Sequence, residues 1–146
     1  MDFALERLDD GHFDIALDAN DVKKELGLNS GVFLSIFSQG RAEGRGGYWG
    51  DFLAEINQDQ LGSIVWSFLN KPNTVANRQE IVAAIEASLS WMLEDSVASN
   101  VSVELTNVLK GSVEFTIEIE RLEDEAVSAF TFLWDVHKSR LTHGTA

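Results

Sequence analysis

Val113-Glu114-Phe115-Thr116-Ile117-Glu118-Ile119-Glu120 alternates apolar and polar side chains without a break. Successive side chains of a β-strand point to opposite faces, so Val113, Phe115, Ile117 and Ile119 share one side and the glutamates share the other. A strand with one polar face belongs to an antiparallel sheet that packs on one side and meets water on the other. The same alternation recurs upstream in Val101, Val103 and Leu105. It recurs downstream from Ala129 to Val136, where Phe130, Phe132, Trp134 and Val136 fall on one side after the charged turn Glu123 to Glu125. The pattern predicts a three-stranded antiparallel meander.

An apolar sheet face needs a cover. Ile81, Ile85, Leu89 and Met92, beside Val82 and Leu93, repeat at helical spacing, while Glu80, Glu86, Ser90 and Glu94 lie mostly off that stripe. Thr74 and Asn77 both suit the N-cap of this helix, and Asn77 with Glu80 three residues on has a capping-box layout. Before it, Leu61, Val65, Phe68 and Leu69 fit a helix that begins near Asn57 or Asp59 and is stopped by Pro72. Val32, Phe33, Ile36 and Phe37 fit a short helix from Asn29 or Ser30, ended by Gly40. At the start, Phe3 and Leu5, then Phe13, Ile15 and Leu17, flank Asp9-Asp10-Gly11 as a β-hairpin. The expected class is therefore α+β: an N-terminal β-hairpin and short helix, two core helices, then the meander packed on the long helix. Residues 1–137 make a single domain in this reading, and 138–146, with little apolar content beyond Leu141, make a flexible C-terminal tail.

Composition narrows the function classes. The chain has 146 residues, enough to bury one core, and no cysteine, which rules out disulfides, thiolate metal sites and cysteine nucleophiles. Aspartate and glutamate number 24 against 11 lysines and arginines, a formal charge of -13 that repels nucleic-acid phosphates and anionic lipid. Protein partners are expected, with no nucleic acid and no membrane. The N-terminus lacks the basic-then-apolar order of a secretion signal, so the chain is expected in the cytosol when made. His12, His137 and His143 are scattered, no G-x-S-x-G turn is present, and no histidine pair has zinc-site spacing. No catalytic, cofactor-binding or metal-ligating set is expected, and the chain is read as not an enzyme.

The segment most suggestive of function is Gly40-Arg41-Ala42-Glu43-Gly44-Arg45-Gly46-Gly47-Tyr48-Trp49-Gly50-Asp51. Its glycines open backbone angles closed to other residues, so it reads as a loop. It lacks the Gly-Lys-Ser/Thr ending of a phosphate loop and the G-x-G-x-x-G of a dinucleotide fold. Arg41 and Arg45 suit acidic or carbonyl groups of a protein neighbour, with Tyr48 and Trp49 burying flat rings there. Equally open is that Trp49 plugs its own core. Trp66, Trp91 and Trp134 lie in or near apolar stripes and are expected to pack inside.

This loop with its Tyr48-Trp49-Gly50-Asp51 ending, then Leu61-Gly62-Ser63 to Trp66, Leu69-Asn70-Lys71, and Ala87 to Trp91 with Leu93-Glu94-Asp95, resembles the gene-product-forty-six family of Mu-like phages. The similarity covers about Asp14 to Trp134. More distantly, the helices followed by strands resemble the gene-twenty-five-like, lysozyme-labelled baseplate proteins. Those carry Glu-Pro-Arg where Glu94-Asp95-Ser96 stands here, so only Glu94 carries over. The resemblance implies a wedge subunit of a contractile-tail baseplate, repeated six-fold, touching other wedge proteins and the tail sheath and tube. It implies a place in the virion after assembly in the host cytoplasm, and strand sharing as a route to sheath initiation. Arg41, Arg45, Tyr48, Trp49, Asp51 and Glu94 are the candidate contact positions. Two other functions are weighed beside it: a peptidoglycan-degrading glycosidase, from the relatives' label and the carboxylate supply, and an acidic adaptor or inhibitor, from the charge.

Overall fold

The computed structural model describes residues 2–8, 12–19, 21–22, 24–25, 28–42, 44–47, 51, 53 and 62–143. Its centre is a four-stranded antiparallel sheet in the order β10-β9-β8-β7. The strands are β7 (Ala98–Val108), β8 (Ser112–Arg121), β9 (Val127–Asp135) and β10 (Arg140–His143). β8 sits in register with both neighbours, Ile117 opposite Val103 and Phe130, and Phe115 opposite Leu105 and Phe132. Paired residues share a face, so the alternation becomes a layer: Val113, Phe115, Ile117, Ile119, Phe132 and Trp134 are all completely buried. Glu114, Glu118 and Glu120 lie on the other side, Glu118 exposed and the other two half-buried.

The sequence predicts three strands here, and the structure has a fourth in the stretch read as tail. β10 pairs with β9 from Arg140 opposite Asp135 to His143 opposite Phe132. Leu141 is buried beside Trp134, and the His143 ring stands edge-on to Phe33 at 5.1 Å and to Phe132 at 5.6 Å. One leucine among polar residues carries no periodic signal, and the strand is fixed by the edge it pairs with.

Two helices cover the apolar face. α2 (Val75–Leu89), followed by the short α3 (Trp91–Glu94), lies along β7 and buries Ile81, Ala84, Ile85, Leu89 and Met92. Thr74 is its N-cap: the hydroxyl accepts from Asn77 N–H at 3.2 Å. Asn77 is instead buried, and its amide donates to the Phe68 carbonyl at 3.1 Å. α1 (Asn29–Phe37) lies over β9, where Phe33 meets Phe130 and Phe132 edge-to-face at 6.3 Å and Phe37 meets Phe132 at 5.5 Å. Such aromatic pairs add to the stabilisation from area alone.

The second predicted core helix is absent from the part of its span that is described. Residues 65–67 make one 3-10 turn, continued by a turn from Lys71 N–H to the Phe68 carbonyl at 3.1 Å. Gly62 has φ +100°, and Ser63 bridges Gln39 in parallel, so the chain there is extended rather than helical. The expected start near Asn57 or Asp59 lies outside the described residues.

At the N-terminus, β2 (Leu5–Arg7) pairs with β3 (Phe13–Ile15), the expected hairpin, with Asp9-Asp10-Gly11 outside the described residues. β1 (Asp2–Phe3) pairs with β6 (Lys24–Glu25), and β4 (Leu17–Asp18) with β5 (Asp21–Val22). The buried Ser30 hydroxyl donates to the Phe3 carbonyl at 2.5 Å and ties this module to the start of α1.

Candidate interaction site

The Gly/Arg loop leaves the C-terminal end of α1, where Ser38 is already extended at ψ 136°. It closes on itself at once. Ala42 and Arg45 exchange backbone hydrogen bonds of 2.9 and 2.8 Å around Gly44, whose φ of +74° only glycine adopts without strain. Residues 62–63 return alongside: Gly40 N–H donates to the Ser63 carbonyl at 2.8 Å, and Ser63 N–H to the Ser38 carbonyl at 2.9 Å. The buried Ser63 hydroxyl donates to the Ile36 carbonyl at 2.6 Å, meeting one of the acceptors a helix end leaves open.

Trp66 holds the loop. Its indole N–H donates to the Gly40 carbonyl at 2.9 Å, and a Cβ added at Gly46 would lie 3.0 Å from its ring. A Cβ at Gly47 would likewise meet the Arg41 side chain at 3.1 Å, and the Arg41 guanidinium lies against that glycine as well, with Nε and Nη2 at 3.2 Å. Arg41 and Arg45 are both exposed on this small platform. Asp51 is half-buried, and Tyr48 and Trp49 lie outside the described residues.

Glu94 is exposed but is not brought to the loop. It closes α3, whose Trp91 ring lies against Gly31 near the start of α1, whereas the loop begins beyond the end of α1. Gly31 and the last residue of α1, Phe37, are six residues apart, about 9 Å at 1.5 Å per residue. The candidate positions therefore form an arginine loop and a separate carboxylate.

Sequence reasoning placed Trp66 and Trp91 in the core along with Trp134. Trp134 is fully buried and donates to the Leu69 carbonyl at 3.2 Å. Trp91 is 37% exposed and donates to the Ser35 hydroxyl at 3.0 Å, and Trp66 is half-buried as the shared wall of the loop and a cleft. That cleft, about 350 Å³, has Phe37, Val65, Trp66 and Leu69 on one side and Ser139 and Arg140 on the other. The sequence reading missed it, because one wall comes from Ser139 to Leu141, where a single leucine among polar residues gives no period to read. Among the described residues no group of three or more His, Cys, Asp or Glu side chains is placed to hold a metal ion. No described helix is long and apolar enough to cross a membrane.

Against known proteins, the sequence family described as "Phage protein GP46" matches residues 28–126, from the start of α1 through β8 to the turn before β9. The "Mu-like prophage FluMu protein gp46" of Haemophilus influenzae is similar, 26% identical over 97 residues, which are 66% of this chain and 70% of that protein. No solved structure matches the chain.

Proposed function

Because the chain belongs to the phage protein GP46 family, we propose that it is a non-catalytic structural subunit of a phage virion, a wedge component of a contractile-tail baseplate. In this reading it is repeated six-fold, touches other wedge proteins and the sheath or tube, and helps sheath assembly to start. The observation that carries the reading is the family match, which spans α1 to α3 and the strands β7 and β8. Two features of the fold support it. The described part of the Gly/Arg loop is a built platform, hydrogen-bonded to itself and to residues 62–63, on which Arg41 and Arg45 are exposed. β7 is a long edge strand with no neighbour on its outer side among the described residues, and such edges accept partner strands.

The direct experiment deletes the coding sequence in an inducible phage of this type and examines the particles by electron microscopy. Particles lacking assembled sheath, restored by the wild-type chain from a plasmid, are expected; complete contractile tails without the protein would refute the assignment. In the same assay Arg41→Ala with Arg45→Ala, with the fold intact by circular dichroism, is expected to lower the yield of sheathed tails. Full yield from that double variant would reduce the loop to architecture.

A further inference from the structure

β7 is the long edge of the sheet; the other edge, β10, has four residues. Register shifts fall near both ends of β7, between Ala98 and Asn100 and between Leu105 and Asn107, so Asn100 to Leu105 is its regular stretch. Edge strands are commonly guarded by lysine, proline or a charge turned inward. Asn100-Val101-Ser102-Val103-Glu104-Leu105 has no lysine and no proline. Its one charge, Glu104, pairs with Thr116 and so lies on the polar face. On the apolar face Leu105 and Val108 stand opposite the fully buried Phe115 and Val113, yet they are 38% and 46% exposed.

α2 borders the same edge. One of its flanks is turned inward: Asn77 and Glu80 share a shallow cleft with Phe68, and Trp91 at the start of α3 packs on Gly31 of α1. The opposite stripe, Val75, Arg78, Val82 and Glu86 at spacings of three and four, therefore faces away from α1, above β7. Val75 and Glu86 are exposed and Val82 is half-buried. Hydrogen bonds fix how helix and strand align. At one end Val97 N–H donates to the Met92 carbonyl at 2.8 Å, and at the other the Asn73 amide donates to the Leu109 carbonyl at 3.2 Å. Halfway between these two ties lie Val82 on the helix and Val103 on the strand.

We propose that the free chain pairs with a second copy of itself, β7 against β7 antiparallel, about a two-fold axis that passes Val103 and Val82. On the strand Val103 then faces its own copy, Val101 faces Leu105 and Ser102 faces Glu104. Apolar residues meet on one side of the joined sheet, and no carboxylate meets another on the other side. The same axis sets Val82 against Val82 and Arg78 opposite Glu86 on the helices. Arg78 keeps its bond to Asn73, which takes its Nη1 alone among the described residues; the contact uses its charge. Strands stand about 4.8 Å apart, so four strands are as wide as two helices packed at about 8–10 Å, and the two α2 helices meet flank to flank without collision. A second copy is the occupant because strand and helix are complementary to themselves about one shared axis. The four strands become eight, and the contact closes with nothing left to propagate. At about 0.15 M salt, screening over roughly 8 Å damps the repulsion between two acidic copies. One short strand and one helix flank make a small interface, so the pair separates on dilution.

Sedimentation velocity on the purified full chain, from about 1 μM to about 1 mM, tests the pairing over the range of weak affinities. The wild type is expected to pass from monomer to dimer and no further. Glu86→Arg, at an exposed position, sets two arginines face to face and is expected to raise the dissociation constant several-fold. The chain has no cysteine, so single cysteines report the register. Val103→Cys is expected to cross-link two copies under mild oxidation, because facing residues of an antiparallel pair stand about 5 Å apart at Cα, within disulfide reach. Asn107→Cys lies eight residues along the strand from its own copy, about 26 Å, and is expected to stay uncrosslinked. Circular dichroism checks each fold, and Val82→Cys on the same axis repeats the test should Val103→Cys disturb it. A wild type monomeric throughout, species beyond dimer, an unchanged dissociation constant for Glu86→Arg, or position 107 linking as readily as the folded axis variant would each overturn the pairing. No phage partner is present, so these outcomes leave the tail-assembly reading to its own test.

Discussion

β8 and the described part of the Gly/Arg loop are held in different ways. β8 is flanked on both sides, and four of its side chains disappear into one core layer. The described loop is held by contacts that each differ from the next, among them the indole N–H to the Gly40 carbonyl, a serine hydroxyl to the Ile36 carbonyl, the backbone pairing of Ser38 and Gly40 with Ser63, and Gly46 and Gly47, where a side chain would collide. In β8 the stabilisation is spread over many equivalent contacts, so its polar face tolerates change. In the loop each contact is unique, so small edits should show. Four substitutions test that difference.

The largest effect belongs to the layer that β8 shares with its neighbours. Trp134→Ala removes a fully buried ring and strands the Leu69 carbonyl that its N–H meets. Such truncations cost about 3–5 kcal/mol, and a fall of that size in urea unfolding is expected. A loss under about 1 kcal/mol would mean that the sheet core is not the seat of stability.

Gly62→Ala comes next and lies in the loop's return path. Its φ of +100° disfavours any side chain, and the new Cβ would sit 2.5 Å from the Ser38 carbonyl oxygen. Strain at such positions is of order 1–3 kcal/mol, and the destabilisation should reach about 2 kcal/mol. A near-neutral result by thermal unfolding would show that this strand-like passage can shift freely, and would weaken the contrast with β8.

How much of this was legible follows the same division. The strands β7 to β9 and the buried stripe of α2 are periodic in sequence, because each residue's environment is set by its position in a local repeat. Residues 62–71 misled, since Val65, Phe68 and Leu69 have helical spacing while Gly62 and Ser63 are claimed by Ser38 and Gly40, more than twenty residues earlier. That pairing is non-local and leaves no period to read. β10 escaped for the related reason that one buried Leu141 is not a pattern. At the candidate site, Arg41 and Arg45 could be picked out by type, but Trp66 as their anchor could not. Nothing near it in sequence says that its N–H meets Gly40, 26 residues away.

Trp66→Phe isolates that anchor. It keeps most of the ring against Gly46 and deletes the donor to the Gly40 carbonyl. A lost hydrogen bond of this kind is worth about 1 kcal/mol, so global unfolding should shift by about that much. Trypsin should cut faster after Arg41 and Arg45 as the loop opens locally. Unchanged cleavage would show that the indole N–H is not what fixes the loop.

The smallest effect is expected on β8 itself. Glu118 is exposed on the polar face, opposite Ser102 and Ala129, with Thr116 and Glu120 two residues away on its own strand. Glu118→Lys keeps the alternation that defines the strand and breaks up a run of like charges, Glu114, Glu118 and Glu120, on one side of the sheet. Surface changes away from caps and ion pairs usually fall within about 0.5 kcal/mol. The replacement should be neutral or slightly stabilising at low salt, and any gain should fade as salt screens the glutamates. Urea midpoints at two salt concentrations measure both parts. A loss well beyond 0.5 kcal/mol would mean that this face is packed against something, and that β8 depends on individual contacts as the loop does.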